Sequence, residues 1–261
     1  LRHYFEEQIY PVVTPLAVDS GHPFPFLANH TINTIVRIFQ VQSDGTKDYK
    51  IAILPIPSVL DRIIEVPTPS NKTHHFVYLE DVINFYAIQF FQGYGIEESM
   101  TFRLTRDADL EIAEEDTKDL LTEVEASLRR RRRGDAVRLE VAGEGSPELL
   151  STVLKSVELE KKDVYHIDGH LDCRMYFDFS NYPGYDYLRY KPFESKTPSD
   201  LIGFEGENLL DVIRERDIFV HHPFESFSVV EQFVAQAAVD PNVLAIKQTL
   251  YRVSGESPII A

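Results

Sequence analysis

Arg252 is the residue whose position most directly suggests chemistry. It follows residues 243–251, a short and mostly apolar run that predicts a buried strand. Open α/β sheets bind their ligands at the carboxyl ends of such strands, and a forked, permanently charged guanidinium suits oxyanions. The position therefore indicates that Arg252 contacts a phosphate or a carboxylate. The alternative is a structural salt bridge to the helix that follows.

Other residues with possible chemistry have simpler interpretations. The acidic cluster 111–119 matches no calcium-loop spacing and indicates a solvated helix start. The five arginines 129–133 point all round a helix, which favours a solvated helix end over a polyanion site. The histidine pairs 74–75 and 221–222 alternate faces on a strand, so packing or turn roles are favoured over joint ligation. Cys173 lies among apolar neighbours and is interpreted as a small core residue.

Composition restricts the class of protein. The 261 residues carry a formal net charge of −16, which disfavours general binding of nucleic acid or anionic membranes. A polyanionic ligand would therefore need a local basic site. No apolar run reaches the roughly 20 residues of a membrane span, and one cysteine suits a reducing cytoplasm.

The elements predicted for the first two thirds form an α+β arrangement. Two strands over 31–41 and 49–54 flank a Ser-Asp-Gly turn signal and indicate a hairpin. Further strands are predicted over 75–79, 99–105 and 136–141, and helices over 2–8, 79–91, 114–133, 146–156 and 171–179. Ser146 and Pro147 are a typical cap and first helical residue.

The pattern changes after the Pro-rich and Tyr-rich stretch 181–200, which is interpreted as a linker or crossing loop. A strand over 217–221, a helix over 227–238 and a strand over 243–251 then predict a unit of parallel sheet. Because the chain ends within what is predicted to be the next helix, a truncated chain is expected.

The segment 211–260 resembles the start of the catalytic region of the long bacterial polyphosphate kinases. Ile-Arg-Glu-Arg-Asp, His-His-Pro-Phe-Glu-Ser-Phe and Asp-Pro-Asn-Val-Leu-Ala-Ile-Lys-Gln-Thr-Leu-Tyr-Arg are all typical of that family. Earlier segments agree, among them His-Pro-Phe-Pro-Phe at 22–26, Phe-Arg-Leu-Thr-Arg-Asp at 102–107 and Val-Arg-Leu-Glu at 137–140.

The resemblance implies a domain organisation. Residues 1–198 would be an α+β head domain, with a mixed or antiparallel sheet and helices. Residues 199–261 would begin an α/β catalytic domain that is similar to phospholipase D. The family's head domain takes part in its dimer, so a homodimer or higher homo-oligomer is expected.

The resemblance also implies a reaction and a site. The family reversibly transfers the terminal phosphate of ATP to inorganic polyphosphate with Mg²⁺, through a phosphohistidine in a Lys-x-His-Ala-Lys motif that this chain lacks. Arg252 would contact phosphate oxygens beside the magnesium ion. Lys247 is a weaker candidate on the same strand, and Arg103 and Arg106 are possible contacts of a polyphosphate path.

Two alternatives remain open. The 261 residues alone would be a catalytically inert dimerisation or scaffold module, or, on shared fold only, a phospholipase D-like hydrolase. The expected location is the cytoplasm, with peripheral membrane association of the full enzyme as a possibility.

Overall fold

The computed structural model describes residues 1–68, 73–107, 134–202, 208–251 and 257–260. The chain divides into a first unit, Leu1–Gly184, and a second unit, Tyr185–Ala261. This division lies near the predicted linker. The predicted boundary at residue 198 stays a prediction.

The described strands all belong to the first unit. They are β1 (Leu16–Val18), β2 (Ile32–Val41), β3 (Lys47–Pro55), β4 (Ile63–Val66), β5 (His75–Tyr78), β6 (Gly95–Arg106), β7 (Ala136–Ala142) and β8 (Val164–Ile167). Six of them form a sheet in the order β1-β3-β2-β6-β7-β8, and β4 pairs with β5 separately. All pairs are antiparallel except β7 with β8. The predicted mixed or antiparallel sheet with helices is therefore confirmed.

The helices of the first unit flank this sheet. They are α1 (Arg2–Tyr4), which continues as the π-helical turn Phe5–Ile9, then α2 (Leu79–Phe85), α3 (Pro147–Val157) and α4 (Met175–Phe179). The predicted helix over 79–91 is interrupted at Tyr86, after which a 3₁₀ turn spans Ala87–Phe90. The predicted helix over 171–179 is reduced to α4.

The β2–β3 hairpin follows from its turn residues. The Asp44 carboxylate accepts hydrogen bonds from the Thr46 backbone N–H at 2.9 Å and from its hydroxyl at 2.6 Å. Gly45 supplies a φ of 84°, which a residue with a Cβ adopts at a steric cost. The register runs from Asn33 opposite Pro55 to Val41 opposite Lys47. The predicted hairpin is confirmed.

The two faces of the large sheet have separate cores. One core includes Phe5, Ile9, Val36, Leu54, Leu79 and Ile83, and so joins the sheet to α1 and α2. The other includes Ile35, Ile53, Phe102, Leu139, Leu149 and Val153, and so joins it to α3. Alternation along β2 separates Ile35 from Val36, because neighbouring strand residues point to opposite faces.

Helix α3 begins where its sequence predicts. The Ser146 side chain accepts a hydrogen bond from the Leu149 backbone N–H at 3.3 Å, and Pro147 occupies the first turn. The helix ends at Glu158, which has a left-handed φ of 59°. Leu149 and Val153 of this helix are buried in the second core, against one face of the sheet.

The second unit is held by a small core. It contains α5 (Leu209–Glu215) and α6 (Ser228–Val239). Leu201, Leu209 and Val212 are its buried core, with Ile218 and Val229 packed against them. The predicted helix over 227–238 is thus confirmed.

The predicted strands over 217–221 and 243–251 are wrong for the structure. Both segments are irregular, and no described residue forms a ladder with them. Leu244, Ile246 and Leu250 are 98%, 47% and 51% exposed. An apolar run indicates a need for burial, but a parallel strand also needs neighbouring strands for its backbone groups. The described part of the second unit supplies none, so the predicted strand–helix–strand unit reduces to its helix.

Several predictions lie outside the described residues. These are the helix over 114–133, the arginine run 129–133 and the acidic cluster 111–119. Across the residues that the structure does describe, no helix is long and apolar enough to cross a membrane.

Candidate functional site

Arg103 is the centre of a charged cluster in the first unit. It lies in β6 directly opposite Glu140 of β7, so the two side chains share a face of the sheet. Arg103 Nε is 3.5 Å from Glu140 Oε2, and Nη1 is 3.8 Å from Asp172 Oδ1. A third contact joins Arg103 Nη2 to His30 Nδ1 at 3.1 Å. With its side chain 14% exposed, Arg103 links β7 and ties the segments of His30 and Asp172 to the sheet.

Two further arginines extend this cluster on either side. Arg138 Nη2 donates to Glu140 Oε1 at 3.1 Å, and its guanidinium lies 4.4 Å from the centre of the Tyr165 ring. Arg174 Nε donates to Asp172 Oδ1 at 2.8 Å. The order of contacts is therefore Arg138, Glu140, Arg103, Asp172 and Arg174. These five residues are called the charged row.

Arg62 holds the backbone at Asp172 in place. Arg62 Nη1 donates to the Asp172 carbonyl at 2.7 Å, and Nη2 donates to the Leu171 carbonyl at 2.8 Å. Buried Glu80 holds Arg62 in turn, with Arg62 Nε 3.2 Å from its carboxylate. Asp172 has a φ of 57°, a conformation that is unusual for a residue with a Cβ. The Arg62 contacts stabilise this conformation.

Asp172 of the row and the adjacent His30 have shifted pKa values. The hydrogen bond from Arg174, aided by the Arg174 backbone N–H and by the charge of Arg103, lowers the pKa of Asp172 to about 2. Burial, and then the positive charge of Arg103, lower the pKa of His30. A neutral His30 can accept the hydrogen bond from Arg103.

Arg106 is used differently from Arg103. Its Nε donates to the Leu27 carbonyl at 2.8 Å and its Nη1 to the Gly134 carbonyl at 3.0 Å. The guanidinium also lies 4.3 Å from the centre of the Phe26 ring. Arg106 thus joins separate chain segments. Its proposed contact with polyphosphate stays a prediction.

A second charged cluster surrounds Arg37 and has the opposite balance. Arg37 contacts Glu97 at 3.3 Å, Glu98 at 3.2 Å and also Glu148, and it lines a cavity of about 420 Å³. Lys47 also lies 3.9 Å from Glu97, so two cations meet three carboxylates and a negative excess remains. This cluster is therefore unsuited to an oxyanion.

Two further predicted site residues, Lys247 and Arg252, belong to the second unit. Arg252 lies outside the described residues. Lys247 is exposed in the irregular segment of the second unit. Cys173 is exposed rather than a core residue, because the loop that places Asp172 inward turns the next side chain toward solvent.

The described side chains form no cluster of three or more metal ligands. Within ranges 1–68, 73–107, 134–202, 208–251 and 257–260, no group of three or more His, Cys, Asp or Glu residues could hold a metal ion. Oxygen ligands are what Mg²⁺ requires, and the carboxylates of the charged row are instead occupied by arginines.

Sequence reasoning missed most of the row. Arg138 and Glu140 could have been paired, since residues two apart on a strand share a face. Asp172 and Arg174 are close in the chain, but the contacts of Asp172 with Arg62 and Arg103 join segments that are far apart and gave no local signal.

Family models and curated proteins that carry the name polyphosphate kinase match this chain. A family model described as "Polyphosphate kinase middle domain" matches residues 1–179, and "Polyphosphate kinase C-terminal domain 1" matches residues 208–261. Curated proteins named polyphosphate kinase from Halalkalibacterium halodurans and Bacillus cereus are 45% and 44% identical over the whole chain. The chain spans 37% of the length of each.

A solved structure shares the fold. The crystal structure of a polyphosphate kinase from Porphyromonas gingivalis matches with a TM-score of 0.72 and 23% sequence identity. The match covers 99% of this chain and 36% of that one. At this identity the likeness concerns the fold alone.

Proposed function

The chain belongs to the polyphosphate kinase family, and from that premise we propose that it is part of an enzyme that transfers the terminal phosphate of ATP to inorganic polyphosphate, reversibly. The observation that supports this most directly is the identity of 45% over the whole chain to a protein of that name. The phosphohistidine intermediate would form on a Lys-x-His-Ala-Lys motif outside these 261 residues.

Arg252 is the residue to which this proposal gives the most direct role. Phosphoryl transfer is catalysed mainly by positioning and by neutralising negative charge. A guanidinium can donate several hydrogen bonds to phosphate oxygens but cannot ligate a metal. Arg252 would therefore hold phosphate oxygens, and magnesium would enter with ATP. Lys247 would add charge near the same phosphates.

Residues 1–198 are proposed to act as the head domain, and 199–261 as the start of a phospholipase D-like catalytic domain. Arg103 and Arg106 are proposed to lie near the path of the polyphosphate chain. A homodimer or higher oligomer and a cytoplasmic location belong to the same proposal.

A chimera tests the proposed function. The 261 residues would replace the matching segment of the Bacillus cereus relative, and ATP-dependent polyphosphate synthesis would be measured. We expect synthesis by the chimera and none by the 261-residue chain alone. A folded chimera without synthesis would contradict the proposal. Synthesis by the short chain would show that the catalytic groups have been misplaced.

The second candidate is a catalytically inert dimerisation and scaffold module, with its own fold but no turnover. It is favoured for the isolated chain by the lack of the histidine motif in its sequence. Sedimentation of the isolated chain tests its dimerisation role. A monomer at micromolar concentration would count against that role.

A further inference from the structure

The charged row has an excess of positive charge in a strongly acidic chain. Three arginines face two carboxylates, which leaves 3 − 2 = +1 while His30 is neutral. The whole chain carries a net charge of −16. A phosphate polymer approaching this chain is repelled over most of its surface, so binding requires a local excess of cations such as this one.

The row also has more donors than acceptors. Each guanidinium has five N–H donors, whereas each carboxylate offers two oxygens. Arg103 Nε and Arg138 Nε are buried without a hydrogen-bond acceptor among the described residues. Arg103 Nε is within 3.5 Å of Glu140, but this ion pair lacks hydrogen-bond alignment. Buried donors normally find acceptors, so the row is short of acceptor oxygens.

The cationic ends of the row are the parts that solvent reaches. The side chains of Arg138 and Arg174 are 43% and 67% exposed. Glu140 and Asp172 are only 12% and 11% exposed, and Arg103 is 14% exposed. An arriving anion therefore meets the arginines before the recessed carboxylates.

We propose that the charged row is a binding site for an extended phosphate polymer, with Arg138 and Arg174 as the contacting residues. Arg103 positions both of them through Glu140 and Asp172. Four successive ion pairs separate the two contacting arginines, so a ligand that engages both needs negative charges repeated along its length. The inference rests on the proposed function, because inorganic polyphosphate is the polymer of that chemistry.

Asp172 and Tyr165 help to hold the contacting arginines in place. The bond from Arg174 keeps the pKa of Asp172 at about 2, so Asp172 stays charged and continues to orient both of its arginines near neutral pH. The Arg138 guanidinium also lies 4.4 Å from the centre of the Tyr165 ring, a cation–π contact that uses none of its N–H donors.

Direct titration of the 261-residue chain with inorganic polyphosphate tests the site without requiring turnover. Arg138→Gln and Arg174→Gln should each weaken binding about tenfold or more, the scale for losing hydrogen bonds to a charged group. Arg214→Gln is the matched control, because Arg214 is also 67% exposed and paired with an aspartate. Orthophosphate should bind much more weakly than the polymer.

A second measurement avoids any loss of folding in the variants. Polyphosphate should slow the modification of Arg138 and Arg174 by an arginine-selective dicarbonyl in the unaltered chain, and leave Arg214 unchanged. Unchanged binding in a chain that carries both Arg138→Gln and Arg174→Gln, equal weakening by Arg214→Gln, or no protection of the two arginines would overturn the site. Synthesis by the chimera is measured separately, so the proposed function can stand while this inference fails.

Discussion

At the scale of single residues, the arginines of this chain differ in how much of each guanidinium is already used. Arg106 donates to two backbone carbonyls. Arg103 is shared between two carboxylates and a histidine. Arg138 and Arg174 each have one carboxylate partner and a solvent-exposed surface. Residue type alone therefore does not identify which arginines are available to a phosphate ligand.

Arg252 carries the prediction that is closest to the chemistry. In the chimera, Arg252→Ala should lower turnover by about 10²–10³, the usual scale for removing one group that stabilises charge in the transition state. Steady-state polyphosphate synthesis measures the effect. Arg214→Ala in the same chimera should retain turnover. Near-normal turnover in Arg252→Ala would remove the proposed role of Arg252.

Asp172 carries a prediction about acid stability. Its folded pKa of about 2 lies below its ordinary value of 3.8, so the unfolded chain binds the proton more readily. The stabilisation by Asp172 is therefore complete above about pH 4 and is lost as the pH falls toward 2. Asp172→Asn should be less stable at pH 7 and should lose less further stability on acidification.

Urea unfolding at pH 7, 4 and 3 measures this difference. The control is Asp211→Asn, which removes the carboxylate of an exposed pair with Arg214. Surface pairs of this kind contribute little to stability. A wild-type chain and an Asp172→Asn variant that lose stability in parallel on acidification would show that Asp172 is not the group responsible.

At the scale of elements, the sequence predicted correctly those elements whose backbone groups are hydrogen-bonded by residues close in the chain. The β2–β3 hairpin and α3 were both predicted, because an Asp-Gly turn and a Ser-Pro cap act within a few residues. The 243–251 strand was predicted from apolar character alone and is wrong. A cap is a local interaction, whereas a strand depends on neighbours that its own sequence does not specify.

Ser146 provides a test at this scale. Ser146→Ala removes the acceptor for the Leu149 N–H and should lower the free energy of unfolding by about 1 kcal/mol. Urea denaturation monitored by circular dichroism measures the change. Ser151→Ala, at an exposed position of the same helix, should change stability far less. Equal effects of the two substitutions would show that the cap does not stabilise α3.

At the scale of the whole molecule, the two units differ in the size of their hydrophobic cores. The first unit has two cores on opposite faces of a six-stranded sheet. In the described part of the second unit, three buried residues form the core, and Leu244, Leu250 and Tyr251 are exposed. Because burial of apolar area is the main favourable term in folding, the first unit should be the more stable of the two.

Amide exchange in the dilute chain tests this difference. Amides of 243–251 should exchange rapidly, because no described residue accepts ladder hydrogen bonds from them. Amides of β2 and β6 within the central ladder should be strongly protected and serve as the internal control. Strong protection over 243–251 would mean that this segment finds a strand partner, and would restore the predicted parallel strand.

The sequence by itself determined the family, the hairpin, the cap of α3 and the mixed character of the first unit. These depend on motifs and on interactions between residues close in the chain. The tertiary structure decided which charged side chains meet. Arg103 and Asp172 lie 3.8 Å apart although 69 positions separate them in the chain, and only the pairing of β6 with β7 and the Arg62 contacts to the Asp172 loop bring them together. Charge clusters of this kind depend on sheet order and loop path, which local propensity does not encode.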